Sequence, residues 1–345
     1  MKILWLADYF PSTQSGDITG GVEARGFYVS KYLKKRHILK IIADSPERWS
    51  FSTWRSMPRR ILMTWQKIIE GLCSDFDLIE GENFSNHIIA TVLGAIKRKP
   101  VVCWYPDVFI GSWLKLAGTV GVLGEIAERV LLCWPGINFI AISQTTKKKL
   151  VNFGVPKRKV TVIYCGTELI DLKQVKKYDI CVVSRLLPYK KIDDLIVATR
   201  DLHAVIVGQG PEEKKLKELA NKNVVFLGYL PKHRDVLKVM AQSKIFCHPS
   251  EIEGFGIVIV EAMALGIPVV ASNIPAISEI TKGGKGALLF VPGDREDLAK
   301  KIRILLKNRK VYQQKVKEAK ILARNYSWVE IAKQTEKYYE NLLYH

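Results

Sequence analysis

The chain alternates short apolar runs with amphipathic stretches, and this alternation is typical of βαβ units. In the first half, we expect buried strands at Ile3–Ala7, Ile38–Ala43, Asp77–Glu80, Val101–Trp104 and Phe139–Ser143. In the second half, we expect them at Asp179–Ser184, His203–Gly208, Val224–Leu227, Lys244–Cys247 and Pro268–Ala271. This pattern predicts an α/β protein with two doubly wound parallel sheets, each covered by helices.

We expect a further strand that ends at Gly166. A charged connection without periodicity follows it, and the predicted domain boundary lies there. We expect an N-terminal Rossmann-like domain at residues 1–168, a C-terminal one at 169–326, and a final helix at 327–345. Ser327 is the predicted N-cap of that helix. Doubly wound sheets bind ligands at the carboxyl ends of their strands, so two such domains are expected to face a central cleft that holds the site.

Composition narrows the class of protein. The chain has 345 residues, 48% of them hydrophobic and 25% charged, which is typical of a globular protein. The formal net charge of +19 favours anionic partners such as nucleotide-sugars, acidic lipids or nucleic acid, although solvated surface lysines explain it equally well. Six cysteines without a C-x-x-C pair argue against a zinc site and a disulfide scaffold, so we expect a cytoplasmic protein.

The most informative segment is His248–Ala271, in which two glutamates flank a predicted helix start. Gly254 and Gly256 leave backbone amides uncovered there, so the amides and the helix dipole can meet a diphosphate. Glu253 precedes the helix and Glu261 lies inside it, so both carboxylates can accept hydroxyl protons from one ligand. This arrangement suits a phosphorylated sugar donor. An ordinary helix-to-strand unit with solvated glutamates is the alternative.

A second candidate follows the strand that ends near Ser184. Arg185 and Lys190 are five positions apart at a predicted helix start. A guanidinium and an ammonium in this position can grip a diphosphate and stabilise the negative charge that grows as it leaves. A solvated charge cluster is the alternative interpretation.

These motifs resemble the signature of retaining GT-B glycosyltransferases of the family 4 type (glycosyl transferases group 1), and the resemblance covers nearly the whole chain. It implies that Glu253 contacts the donor sugar, Glu261 the ribose, and Arg185 with Lys190 the leaving diphosphate. It also implies a metal-independent hexosyltransferase that needs no cofactor beyond its nucleotide-diphosphate sugar. The remaining residues that the resemblance assigns to the donor or the cleft are Gly20, Gly21, Gly208, Gly254, Phe255 and Gly256. For Gly208, in the segment Gly208-Gln-Gly210-Pro, a purely structural turn is an equally good interpretation.

The chain departs from the family pattern at two places. Pro106 stands where many relatives carry a histidine, and Asp107 beside it remains a candidate for contact with acceptor or sugar. Losing the imidazole need not abolish transfer, because in front-face attack the departing phosphate itself takes the acceptor proton. Lys191 stands where the family usually has glycine.

The expected partners are a nucleotide-sugar and a hydroxyl acceptor, either a glycan or a lipid-linked molecule. Residues 48–67 hold five basic residues, no acidic ones and three tryptophans, which favours a patch on an anionic membrane surface. Residues 113–134 are a second candidate surface. A peripheral position on the inner face of the membrane is therefore expected, although a loop and a core helix explain the same pattern.

Two other classes of function stay open. A protein that binds nucleic acid or another polyanion would use the basic surface, but the chain lacks interleaved basic and aromatic strands or a recognition helix, so we expect no nucleic-acid partner. A catalytically inactive GT-B scaffold would explain the missing histidine. Asp75-Phe-Asp77 has the form of a metal-binding D-x-D, but its place before a strand indicates a polar turn, and no metal site is predicted.

Overall fold

The structure is a computed structural model that describes residues 1–10, 21–45, 57–114 and 118–344. The chain forms two compact units. The first contains the first strand, the chain from the first helix to Tyr164, and the last helix from Val329 onward; the second is Cys165–Trp328. The sequence places the boundaries after residues 168 and 326 instead, and that assignment of domains stays a prediction.

The first unit is built on a six-stranded parallel sheet. Its strand order is β2-β1-β3-β4-β5-β6. The strands are β1 Lys2–Tyr9, β2 Ile38–Ser45, β3 Leu78–Glu82, β4 Val101–Tyr105, β5 Ile137–Ala141 and β6 Val160–Val162. Strands β3 and β4 are buried along their whole length, as expected for a parallel sheet covered on both faces.

The helices of the first unit alternate with these strands. They are α1 Gly21–Leu33, α2 Met57–Leu72, α3 Asn83–Lys97, α4 Gly121–Cys133 and α5 Gln144–Asn152, with 3₁₀ turns at Gly118–Val120 and Lys157–Lys159. The crossovers into β3, β4, β5 and β6 all advance in one direction along the sheet. Because such crossovers are right-handed, α2, α3, α4 and α5 form one layer on the same face.

A buried ion cluster joins the last helix to the first sheet. The Arg25 guanidinium of α1 donates to Glu80 of β3 over 2.5 Å and lies 3.4 Å from Glu82. The Tyr339 hydroxyl donates to the Glu80 carboxylate. Burial raises the pKa of Glu82 to about 8, although the Arg25 charge opposes the shift. Buried charges need partners, so this cluster fixes the last helix on the first unit.

The second unit has its own six-stranded sheet, with the order β12-β11-β10-β7-β8-β9 and every neighbouring pair parallel. The strands are β7 Tyr178–Val183, β8 Ala204–Val207, β9 Val224–Gly228, β10 Ser243–His248, β11 Val269–Ser272 and β12 Ala287–Phe290. The core includes Ile180, Ile206, Ile245, Val270 and Phe290. The two sheets confirm the predicted α/β fold class.

Helices flank the second sheet and lead back to the first unit. They are α6 Ile192–Ala198, α7 Glu213–Leu219, α8 His233–Ala241, α9 Ile257–Ala264, α10 Pro275–Ile280, α11 Arg295–Lys307, α12 Arg309–Ala323 and α13 Trp328–Tyr344, with 3₁₀ turns at Pro188–Lys190 and Arg324–Tyr326. Within the stretches of chain covered by the structure, none of the helices combines the length and apolar character needed to cross a membrane.

The bounds of most strands lie within two residues of the prediction, and two strands differ from it more. The strand expected to end at Gly166 ends at Val162, and the chain then turns so that Gly166 packs against the Trp328 ring, where a Cβ would come within 2.6 Å of ring atoms. Strand β12 was not predicted, because four residues between glycine-rich segments give too short a pattern.

Candidate functional site

The candidate donor residues gather where the order of the second sheet reverses. Strands β7, β8 and β9 follow one another in one direction, whereas β10 lies on the opposite side of β7. The carboxyl ends of β7 and β10 are therefore adjacent at a topological switch point, the usual ligand position in such sheets. This places the segment after β7, with Arg185 and Lys190, beside the loop after β10, with Glu253.

The start of α9 has the features of an anion site. Gly256 is its N-cap, with φ of 89°, in the left-handed region that glycine adopts without strain. No side chain among the described residues caps this helix, so the amides of its first turn remain available to a ligand. Phe255 is buried with its ring 6.0 Å from that of Tyr326, so it can offer a ligand only its backbone.

We expect Gly256→Ala to lower the free energy of unfolding by about 1–2 kcal/mol, because alanine must adopt the same left-handed conformation. Urea unfolding curves of the two proteins measure the difference. Stability equal to that of the wild type would show that this loop does not need glycine at position 256.

Glu253 is held by two neighbours. Its carboxylate accepts hydrogen bonds from Lys190 and, over 2.7 Å, from Nε2 of His248. Burial alone would raise the pKa of Glu253, but the hydrogen bonds and positive charges of His248 and Lys190 outweigh it and lower the pKa to about 2. Glu253 is therefore a carboxylate at neutral pH and cannot serve as a proton donor there.

Backbone contacts hold the two segments together. The Glu251 amide donates to the Tyr189 carbonyl over 2.9 Å, and the Lys191 ammonium lies 3.5 Å from the Glu251 carboxylate. Lys191 has φ of 51° at the N-cap of α6. This left-handed conformation is the physical reason that glycine suits the position, and lysine occupies it here at a modest cost.

Arg185 differs from Lys190 in having no side-chain partner among the described residues. Its side chain is exposed, and none of the side-chain hydrogen bonds or ion pairs in the described chain involves it. The two predicted cations are thus in different states: Lys190 is bound to Glu253, and the Arg185 guanidinium is free to receive a ligand.

Glu261 lies buried inside α9 and faces the first residue of α8. Nε2 of His233 is 3.2 Å from the Glu261 carboxylate. Burial lowers the pKa of His233, but the charge and hydrogen bond of Glu261, with the charge of Glu168, raise it above its ordinary value overall. The Glu261 carboxylate therefore has one oxygen engaged with an imidazole at a helix start.

This pair gives a pH-dependent prediction. Because folding raises the pKa of His233 above the unfolded value of about 6.5, the pair stabilises the fold below that pH and loses its contribution as pH rises through the folded pKa. We expect His233→Gln to cost on the order of 1 kcal/mol at pH 5.5 and less at pH 9. Melting temperatures at the two pH values measure this, and a deficit that grows with pH would contradict it.

The Gly208-Gln-Gly210-Pro turn packs tightly after β8. A Cβ on Gly208 would lie 1.8 Å from the Ser184 carbonyl oxygen, and one on Gly210 would lie 2.3 Å from the Leu186 oxygen. The Leu186 amide donates to the Gln209 carbonyl over 3.0 Å. Both glycines are thus required by packing, and a contact of Gly208 with a nucleotide stays a prediction.

The candidates from the N-terminal half lie in the first unit. Asp107 follows β4, and its carboxylate accepts from the Lys149 ammonium over 2.7 Å and from the Val108 amide over 2.8 Å. Gly21 is the first residue of α1. Gly20 lies outside the described residues. Asp107 is thus a partly exposed, ion-paired carboxylate at the carboxyl end of its strand.

Sequence reasoning missed several polar residues. His248 precedes Pro249, and the sequence predicts only a structural role for it. In the structure its Nε2 bonds the Glu253 carboxylate, and its buried Nδ1 has no hydrogen-bond partner among the residues described. In the first unit, Asp8 at the end of β1 accepts from Asn83 over 3.1 Å and from Asn86 over 2.6 Å. The reversal of strand order between β1 and β3 brings these residues together, and no local sequence signal reports it.

One group of metal-ligand side chains converges in the described chain: His37, Glu336 and Glu340 of the first unit. Glu336 already accepts from His37 over 2.6 Å and from Arg36 over 3.0 Å. Its charge is therefore balanced by the protein's own side chains, and the group is far in sequence from the motifs above.

Two adjoining family profiles match residues 19–322. Residues 19–170 match Glycosyltransferase Family 4, and residues 170–322 match Glycosyl transferases group 1. An uncharacterised glycosyltransferase of Haemophilus influenzae is 29% identical over 165 residues, which are 45% of this chain and 47% of that protein. The phosphatidyl-myo-inositol mannosyltransferase of Mycobacterium leprae is 34% identical over 145 residues, 41% of this chain and 38% of the relative. These matches span less than half of either relative.

Similarity of fold extends over the whole chain. The crystal structure of Anabaena HepE in complex with UDP superposes with a TM-score of 0.78 and covers 99% of this chain and 100% of its own, at 22% identity. A structure of the same protein in complex with UDP-glucose gives the same score at 21% identity. With the two adjoining profiles covering residues 19–322, the chain belongs to the GT-B glycosyltransferases of the group 1 and family 4 type.

Proposed function

We propose that this protein is a retaining, metal-independent glycosyltransferase that moves a hexosyl group from a nucleotide-diphosphate sugar to a hydroxyl acceptor. The observation that carries the proposal is the cluster of Lys190, His248 and Glu253 beside the uncapped start of α9, at the switch point of a GT-B sheet. The cation and the free helix amides suit the diphosphate of such a donor, and the carboxylate suits its sugar.

Each part of the donor has its own partner in this arrangement. The diphosphate lies at the start of α9, where the amides, Lys190 and the free Arg185 receive its oxygens. The ammonium of Lys190 has three protons, so it can keep Glu253 and bind a phosphate at once. Glu261 accepts the ribose hydroxyls with its buried carboxylate.

The proposed roles of these residues follow from the charges that develop as the donor bond breaks. As the bond between the sugar's anomeric carbon and the phosphate oxygen breaks, negative charge grows on the phosphate and positive charge on the sugar ring. Arg185, Lys190 and the helix end stabilise the former, and the ionised Glu253 stabilises the latter. The acceptor oxygen bonds to the anomeric carbon from the same face, and its proton goes to the departing phosphate. This route needs no histidine at position 106, where this chain has proline.

The donor and acceptor classes draw support from relatives. HepE has been crystallised with UDP and with UDP-glucose, and a mycobacterial relative is named for mannosyl transfer to phosphatidyl-myo-inositol. We propose a nucleoside-diphosphate hexose as donor and a hydroxyl on a glycan or lipid-linked molecule as acceptor. Asp107 is a candidate for the acceptor side.

A panel of UDP-, GDP- and ADP-hexoses in a thermal-shift assay tests donor binding, since a ligand of the folded state raises the melting temperature. NMR of the product then reports the anomeric configuration. We expect one donor to stabilise the protein and the product to keep the donor's configuration. An inverted product would contradict retention. Binding without nucleotide release in acceptor extracts would favour the inactive scaffold, and salt-sensitive oligonucleotide binding alone would favour a polyanion-binding protein.

A further inference from the structure

The outer surface of the first unit carries an apolar face spread over three neighbouring helices. Helix α3 presents Ile88, Val92 and Ile96 to solvent, although a surface helix normally turns polar residues outward. Ile96 is 58% exposed. The exposed large side chains on the other two helices are Trp65, Ile69 and Leu72 of α2 and Val122, Leu123, Ile126 and Val130 of α4.

These helices are packed side by side, so their exposed residues form one surface. Helix α3 contacts both α2 and α4. Gly71 of α2 lies so close to α3 that a Cβ there would come within 2.3 Å of Leu93. We name the ten exposed residues of α2, α3 and α4 the three-helix apolar face. A contiguous apolar surface of this kind marks an interaction site.

The charges around the face indicate what covers it. Between positions 57 and 163, which include all three helices, the sequence has fourteen Lys and Arg against eight Asp and Glu. Three of the acids are buried, namely Glu80, Glu82 and Glu128, and three are ion-paired, Asp75 with Lys2, Asp107 with Lys149 and Glu125 with Arg129. The other two accept hydrogen bonds, Glu70 from Gln66 and Asp77 from the Lys2 amide. The charge of this region is therefore basic on balance.

The basic residues border the face. Lys97, Arg98 and Lys99 end α3, and Lys147–Lys149 lie on α5, which is next to α4 in the same layer. Lys148, Lys157 and Arg158 are exposed. Apolar side chains bordered by cations match the two layers of an anionic bilayer surface, where hydrocarbon lies beneath acidic headgroups.

We propose that the three-helix apolar face docks on an anionic membrane surface. The sequence indicated residues 48–67 and 113–134 as candidate surfaces; the structure adds α3 between them and joins α2 to α4. Residues 46–56 lie outside the described chain, and all ten residues of the three-helix apolar face lie within it. The proposal rests on the apolar face and its charges and stands apart from the proposed sugar transfer.

Vesicle sedimentation tests this with the full chain. The probes are vesicles of phosphatidylcholine alone and of phosphatidylcholine with about 30% phosphatidylglycerol. We expect binding to the anionic vesicles that weakens with salt. The triple variant Ile96→Ser, Leu123→Ser, Ile126→Ser should bind at least about tenfold more weakly, because it removes apolar area that enters the bilayer.

The matched control removes three equally exposed apolar residues elsewhere: Val175→Ser, Val291→Ser, Ile321→Ser, all in the second unit. It should bind like the wild type. A second variant, Lys148→Gln, Lys157→Gln, Arg158→Gln, should lose the preference for anionic vesicles. All positions are exposed, and circular dichroism melts check folding.

Three results would overturn the proposal. The wild type could fail to bind anionic vesicles at low salt, or the triple variant could bind as tightly as the wild type. Light scattering could also show a dimer that becomes a monomer in the triple variant, with no vesicle binding, which would assign the face to self-association. Nucleotide-sugar binding measured on the same variants separates this outcome from failure of the proposed transfer, because none of these residues lies in the donor site.

Discussion

Glu253→Gln is expected to lower the rate of sugar transfer by about 10³-fold, the cost typical of removing one preorganised electrostatic group from an active site. The amide keeps the shape of the side chain but loses the negative charge that stabilises the sugar ring as the donor bond breaks. The pKa of about 2 means that the wild-type group carries this charge at all working pH values. Nucleotide release under saturating donor measures the effect.

Glu251→Gln is the matched control, because Glu251 lies in the same loop and pairs with Lys191 at its surface. We expect it to keep nearly the full rate. Melting temperatures of both variants separate loss of chemistry from loss of fold. A Glu253→Gln protein with wild-type turnover would remove Glu253 from the reaction.

Lys190→Met is expected to weaken donor binding and lower kcat, together reducing kcat/KM by about 10²–10³-fold, because it removes a cation from the leaving diphosphate. The change also withdraws one of the two groups that lower the pKa of Glu253. Steady-state kinetics with varied donor measures the loss and divides it between KM and kcat.

Two variants make this result specific. Lys191→Met alters the neighbouring lysine, which pairs with Glu251 and not with Glu253, so it should keep most of the activity. Lys190→Arg keeps the charge but not the compact geometry and should recover only part of the rate. Equal losses for Lys190→Met and Lys191→Met would show that the general basic charge matters and not the position of Lys190.

The motif around Glu253 could be predicted from the sequence because its parts are close together in the chain. Gly256 is needed because its backbone has a positive φ, which glycine adopts without strain. A requirement of this kind depends on one residue and its neighbours in the chain, so it can be recognised in the sequence. The contact between Lys190 and Glu253 joins residues 63 positions apart. Only the placement of β10 beside β7 creates it, and strand order is not encoded in local patterns.

The histidine partners of Glu253 and Glu261 could not be predicted from the sequence either, and the reason is the same. His248 and His233 show no metal-ligand spacing, and no local pattern assigns either of them to the site. Their roles follow from tertiary contacts: His248 lies 2.7 Å from Glu253, and His233 lies 3.2 Å from Glu261. The buried pair of Arg25 and Glu80 was missed for the same reason, since their contact depends on α1 packing over β3.

The three-helix apolar face could be predicted from the sequence only in part. The aromatic and basic composition of residues 48–67 indicates an interface, but no feature of the sequence singles out α3. Which face of such a helix is buried depends on the layer beside it, and α3 proved to have apolar residues on both faces. The three-helix apolar face could therefore be identified only from the structure.

The central claim is that the second unit holds the donor diphosphate between the start of α9 and the cations after β7. A crystal structure with a bound nucleoside diphosphate tests it most directly. The account predicts phosphate oxygens within hydrogen-bond distance of the Lys190 ammonium and the first amides of α9, with the Arg185 guanidinium turned toward them. A diphosphate bound elsewhere, with Lys190 still bonded only to Glu253 and Arg185 still in solvent, would contradict it.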